Sequence, residues 1–176
     1  MLLSTVAFLA VLGAVSAAPA PQSSNPPVSY DGRQLRFNLQ LNKCLTARKV
    51  EVGSELGEKP GQLFDTGPPS TVGVIRVKGT NLCVDAGDYN CKTNGVRLTL
   101  QNCGEGAWGA QEWWQSTNGR IELAGPVTHA HQMPPRSGFC FDLTDGNEAT
   151  GSVQIWKCYD NNPNQRWDLG PWCRFC

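Results

Sequence analysis

Two pairs of acids stand out in a chain that is otherwise poor in charge: Asp85 with Asp88, and Asp142 with Asp145, each pair three residues apart. Two carboxylates are the working parts of glycoside hydrolysis, where they flank a scissile bond and one carries a raised pKa. At this spacing in a loop they fit turn architecture better, because an Asp side chain bonds its own backbone two residues on. His129-Ala130-His131 offers half of a metal site, and the chain has no other histidine. Cys173-Arg174-Phe175-Cys176 has the form Cys-x-x-Cys, but redox use needs a helix N-terminus to lower the thiol pKa, and no helical pattern leads into it. There is no Gly-x-Ser-x-Gly, phosphate loop or metalloprotease motif. No catalytic residue, cofactor or metal ligand is therefore expected.

The acids belong to a longer pattern. One segment reads Asn81-Leu82-Cys83-Val84-Asp85-Ala86-Gly87-Asp88, then Val96 to Cys103, then Gln111-Glu112-Trp113. Another reads Gly138-Phe139-Cys140-Phe141-Asp142-Leu143-Thr144-Asp145, then Val153 to Cys158, then Gln165-Arg166-Trp167. Both keep the order Cys-x-Asp, apolar strand, Cys, Gln-x-Trp, which marks an internal repeat. A weaker copy precedes them. Leu35 to Leu41 alternates apolar and polar residues, and Cys44-Leu45-Thr46 puts a threonine where the acid should be. Gln62-Leu63-Phe64-Asp65-Thr66 is expected to match Gln154 to Cys158, with Thr66 replacing the second Cys, so that no Gln-x-Trp closes this copy.

Strands must carry these residues. Val74 to Val77 leads through a turn into the Cys83 strand, and Ile121 to Leu123 precedes the Cys140 strand. Asn118-Gly119 is a strong hairpin signal. No segment shows a 3.6-residue apolar period. Each unit then holds about four short strands, and three units hold about twelve. One unit cannot bury its own apolar face, whereas three close into a threefold barrel. The insertion Pro126 to Arg136 does not fit the repeat and is expected to be a surface loop.

These motifs resemble the ricin-B lectin family, also called carbohydrate-binding module family 13. The resemblance spans Leu35 to Leu169, and the chain looks especially like small secreted single-domain members found in fungi. It implies an all-β fold, the β-trefoil, stabilised by disulfides. It also implies a carbohydrate ligand, commonly of galactose or N-acetylgalactosamine type, held in shallow pockets, one available per repeat.

A neutral sugar offers hydroxyls and one apolar C–H face. Its pocket needs a carboxylate to accept, an amide to donate and accept, and a flat ring to stack. At the family positions the third unit supplies Asp142, Trp156 and Asn164, with Gln165 beside them and Asp145 shaping the turn. The second unit is a weaker candidate: Asp85 and Gln111 are present, but Gln101 stands at the ring position and Ala110 at the amide position. Trp108 is the ring that could reach it from a loop. The first unit has no acid, and Phe64 alone is no site. The expected valency is one, with two as the upper bound. Trp113 and Trp167 are expected in the core, with Gln111 and Gln165 satisfying backbone groups in turns. The repeat pairs Cys83 with Cys103 and Cys140 with Cys158. Cys44, Cys91, Cys173 and Cys176 remain open to three pairings.

Bulk composition agrees with a single exported domain. The chain has 176 residues, with Lys+Arg and Asp+Glu balanced at 15 each, so it presents no electrostatic footprint for nucleic acid or an anionic membrane. Met1 to Ala17 is uncharged and apolar, with small residues at Val15-Ser16-Ala17, and is expected to be a cleaved signal peptide rather than a membrane span. Residues 18–29 are a Pro/Ser-rich tail, 30–172 the domain and 173–176 a Cys-containing end. Secretion makes disulfides the default for eight cysteines. The sequence leaves oligomeric state open. The rival reading is a non-sugar trefoil, such as a protease inhibitor acting through Pro126–Arg136 or Glu51–Pro60.

Overall fold

A computed structural model describes residues 33–37, 44–58, 62–88, 92–105, 109–125, 136–146 and 152–168. The expected signal peptide and tail, Cys91, Trp108, both histidines, most of the 126–136 insertion and the C-terminal Cys-x-x-Cys lie outside these residues.

The described residues form short strands and two 3-10 turns. The first unit holds β1 (Arg36–Phe37), β2 (Leu45–Ala47), β3 (Leu56–Glu58) and β4 (Phe64–Asp65). The second holds β6 (Arg76–Val77), β7 (Leu82–Asp85), β8 (Val96–Arg97), β9 (Thr99–Asn102) and β10 (Trp113–Gln115), with β5 (Val72–Gly73) lying along the edge of β10. The third holds β11 (Ile121–Ala124), β12 (Arg136–Leu143), β13 (Val153–Lys157) and β14 (Trp167–Asp168). All pairings are antiparallel, and β1 pairs with β14, so the first unit closes on the third. No helix among the described residues is long and apolar enough to cross a membrane.

The units follow one hydrogen-bonding plan. Asp85 faces Thr99 across β7 and β9, Asp142 faces Gln154 across β12 and β13, and Thr46 faces Gly57 across β2 and β3. The third strands of all units meet at the pseudo-threefold axis. There Leu56 N–H donates to the Leu98 carbonyl (3.0 Å), Leu98 N–H donates to the Val153 carbonyl (2.9 Å), and Gly57 bridges Ser152. These three apolar side chains are buried in one core with Leu35, Leu45, Ile75 and Phe141.

Two large indoles fill the base of the barrel. Trp113 and Trp167 each pack edge-on against Phe141, with ring centroids 4.5 and 5.9 Å apart. Burying an indole strands its N–H unless a partner is found. Trp113 Nε1 donates to the Val84 carbonyl (3.0 Å) and Trp167 Nε1 to the Phe141 carbonyl (3.2 Å). Val84 and Phe141 are the middle residues of the two Cys-x-Asp motifs, so each unit's closing tryptophan is tied to its own acid-bearing strand.

The first unit is registered differently from the sequence expectation. β3, not Gln62–Thr66, pairs with the Thr46 strand. Gln62-Leu63-Phe64 occupies the Gln-x-Trp position, with Phe in place of Trp. Phe64 is fully buried and pairs with Val77 of the next unit, as Trp113 pairs with Leu123. The Leu63 carbonyl accepts from Lys78 N–H, as the Glu112 carbonyl accepts from Ala124 N–H. The copy is therefore closed after all. The ring has changed, and the alignment on Thr66 as a lost cysteine does not hold.

The two expected disulfides, Cys83–Cys103 and Cys140–Cys158, are formed, spanning 20 and 18 residues. Cys44 is also disulfide-bonded, with its partner outside the described residues.

Candidate functional site

Strand alternation aims the third unit's polar residues. Phe141, Leu143, Val153 and Ile155 point into the core, so Asp142, Gln154 and Trp156 share the outer face. Asp142 is buried, and it is held by amides. Gln154 Nε2 donates to Oδ1 (3.2 Å), while Asn162 Nδ2 (3.0 Å) and Gln165 Nε2 (3.1 Å) donate to Oδ2. A carboxylate has about four lone-pair positions, so roughly one acceptor position, on Oδ1, stays available. Burial pushes the Asp142 carboxyl above the usual aspartate range, the three amide bonds oppose that rise, and neighbouring Asp145 adds to it.

Local turns bring the other groups in. Pro163–Gln165 is a 3-10 turn with Asn162 as its cap. Asn162 Oδ1 accepts from Asn164 N–H (3.0 Å), and proline at the first turn position costs no hydrogen bond. Asn162 thus caps the turn with one amide atom and holds Asp142 with the other. Opposite it, Asp145 (φ 57°) and Gly146 (φ 59°) form a left-handed corner. A Cβ on Gly146 would lie 2.7 Å from Asn164 Oδ1, so a larger residue there would displace the Asn164 amide. Trp156 is 36% exposed, so its indole lies outside the barrel. Asn94 of the second unit abuts the same strand, its Oδ1 accepting from Lys157 N–H (2.8 Å).

Asp142, Asp145, Gln154, Trp156, Asn162 and Asn164 line one open depression of about 180 Å³. Of the residues expected to form a site, Asp142, Trp156 and Asn164 are brought together. Gln165 is not at the surface: it is fully buried. Its Nε2 also reaches the Lys157 carbonyl (3.0 Å) and its Oε1 accepts from Tyr159 N–H (2.9 Å). Its place is behind Asp142 as a positioning clip, not in contact with a ligand. Asn162 and Gln154 were not singled out from sequence. The Asn-Pro pair before the turn is a capping signal that could have flagged the first, and the cross-strand position opposite Asp142 could have flagged the second.

The second unit repeats the clip without the depression's chemistry. Gln111 Nε2 donates to Asp85 Oδ2 (2.9 Å) and to the Asn102 carbonyl (3.0 Å), and its Oε1 accepts from Gly104 N–H (2.9 Å). Asp85 Oδ1 accepts from Gly87 N–H (2.6 Å), the bond expected of an Asp two residues before a turn glycine. Asp85 and Gln111 are buried. Gln101 faces Cys83, the position Trp156 holds opposite Cys140, but supplies no ring. In the first unit Thr46 Oγ1 turns back to the Cys44 carbonyl (3.4 Å). The wider cleft there, about 550 Å³ and lined by Val50, Leu63, Val77 and Lys78 among others, has neither acid nor aromatic ring.

Threefold closure, the repeated Gln clip and the indole-to-carbonyl ties define a β-trefoil whose third unit carries a polar depression with an exposed indole. The ricin-type β-trefoil lectin domain matches residues 38–167, and the chain belongs to that family of carbohydrate-binding domains. No curated protein matches the chain.

Proposed function

We propose that the protein is a secreted, non-catalytic lectin that takes a single sugar ring of galactose or N-acetylgalactosamine type in the third unit. The observation that carries this reading is the convergence of a buried acceptor, Asp142, an exposed indole, Trp156, and an amide, Asn164, on one depression. Sugar hydroxyls donate to the remaining Asp142 position and exchange bonds with Asn164, while the apolar face of the ring lies on Trp156. Hydrolysis would need the two carboxylates on either side of a scissile bond, with one free to deliver a proton. Asp142 instead accepts three amide bonds that hold it as an acceptor.

Export through residues 1–17 would bring the domain to an oxidising compartment, in keeping with its disulfides. One site per chain gives binding without crosslinking, because avidity needs two engaged sites. Retention on galactose- or N-acetylgalactosamine-agarose, released by free sugar and lost in Asp142→Ala, tests the reading. A protein that ignores both resins and a glycan array, but loses a protease-inhibiting activity when residues 126–136 are edited, refutes it.

A further inference from the structure

The groups lining the third-unit depression are two carboxylates, three amides and an indole, with no cationic side chain among them. The cations on the flanking strand positions are committed or turned away. Arg97 faces Gln154 across β8 and β13, but its guanidinium is bonded to Glu55 at 2.8 Å. Lys157 follows Trp156 in the strand, so its side chain leaves from the opposite face. The two acids differ in how they are used. Asp142 is buried and takes three amide bonds, whereas Asp145 is exposed and no hydrogen bond or ion pair engages its carboxylate among the described residues. Asp145 also holds a left-handed backbone (φ 57°, ψ 11°), where glycine would be free of strain; what aspartate adds there is its charge.

From this geometry we infer that the depression selects a sugar bearing a free ammonium group, a 2-amino-2-deoxyhexose, with the Asp145 carboxylate as the selecting group. The inference rests on the lectin reading above and specifies its ligand. The ring stacks on Trp156, a hydroxyl meets Asp142, and the ammonium sits between Asp145 and the indole face, where a cation is attracted by both. An N-acetyl group at that position removes the charge, and a uronic acid brings a like charge towards Asp145. A unit charge about 4 Å from one exposed carboxylate corresponds to roughly a fivefold to tenfold preference in affinity at low salt.

Calorimetric titration of the full chain at about pH 6, where the sugar amine is protonated, would compare galactosamine and glucosamine with their N-acetyl forms, the parent hexoses and galacturonic acid. The expected order is amino sugar, then neutral sugars, then galacturonic acid. The amino-sugar preference should shrink towards one in 0.5 M salt and in Asp145→Asn, a residue that tolerates the same left-handed backbone. Equal or tighter binding of the N-acetyl forms overturns the inference and leaves the lectin reading standing, as does a preference that survives Asp145→Asn. Competition by Nα-acetyl-lysine amide as strong as by galactosamine also overturns it, since charge alone would then be read. If none of these sugars binds, the lectin reading itself fails and takes the inference with it.

Discussion

Gln111 and Gln165 are the same residue twice, and that makes them a controlled comparison. Each side-chain amide engages three hydrogen-bonding groups of its loop: a carboxylate oxygen, the carbonyl one residue past the ring position or its equivalent, and a backbone N–H. Truncation to alanine leaves those groups to find water from a buried position. At about 1 kcal/mol for each bond, either substitution should cost about 3 kcal/mol. For a chain of 176 residues that is a fall in Tm of roughly 6–12 °C. The two variants should then part company on sugar. Gln165→Ala frees Asp142 Oδ2 from one of its two donors and lets the carboxylate swing, so retention on sugar resin should drop about tenfold. Gln111→Ala should leave retention unchanged, because among the described residues the ring position opposite Cys83 holds Gln101 and no indole. Differential scanning calorimetry and the column assay, run at a temperature where both variants are folded, measure the two effects separately. Equal losses of sugar affinity in both variants would refute the reasoning, since they would mean that general loosening of the barrel controls binding. So would wild-type affinity in Gln165→Ala.

Four further outcomes follow from the geometry. Trp156→Ala should abolish sugar retention while lowering Tm far less than Trp167→Phe, since the first indole is 36% exposed and the second 1%. Trp167→Phe should cost about 2–4 kcal/mol by chemical denaturation, from an unpaired Phe141 carbonyl and a partly filled core. Replacing Cys140 and Cys158 together by serine should cost about 3 kcal/mol in the chain-entropy model for a bridge spanning 18 residues. Acid should release bound sugar at a pH above the ordinary aspartate value near 3.8, as Asp142 takes up a proton and ceases to accept. Stability runs the other way. A carboxyl raised on folding adds stability at pH below its unfolded value and loses it as pH climbs through the folded value, so Asp142→Asn should flatten the curve of Tm against pH.

Much of this fold can be read from residue order because the repeat encodes it in rigid parts. Cys83 with Cys103, Cys140 with Cys158, and the buried tryptophans at 113 and 167 are covalent or bulky anchors, and their spacing leaves few ways to pair strands. The first unit was harder for the same reason: with Thr46 for the acid and Phe64 for the indole, the anchors that would fix its register are missing. Phe64 still fills the core as the tryptophans do, but a phenyl ring has no N–H to tie to Leu45, and the motif loses its most recognisable letter. At the site, acid, indole and amide were legible as types. The division of labour was not. Whether Gln165 or Asn164 faces outward depends on the Asn162-capped turn that rotates one amide in and the next one out, and adjacent side chains of like chemistry carry no mark of that rotation.

The pairing of β1 with β14 sets an order of events during synthesis. The strand carrying Arg36 emerges from the ribosome early, yet the strand it pairs with holds Trp167 and Asp168, so most of the chain must be released before the ring can shut. Until then the apolar interior of the first two units has no lid, and neither can finish on its own. Closure of the ring is therefore a late event in synthesis. A nascent chain stalled before Trp167 should be held by chaperones, where a solenoid of comparable length would already be partly complete.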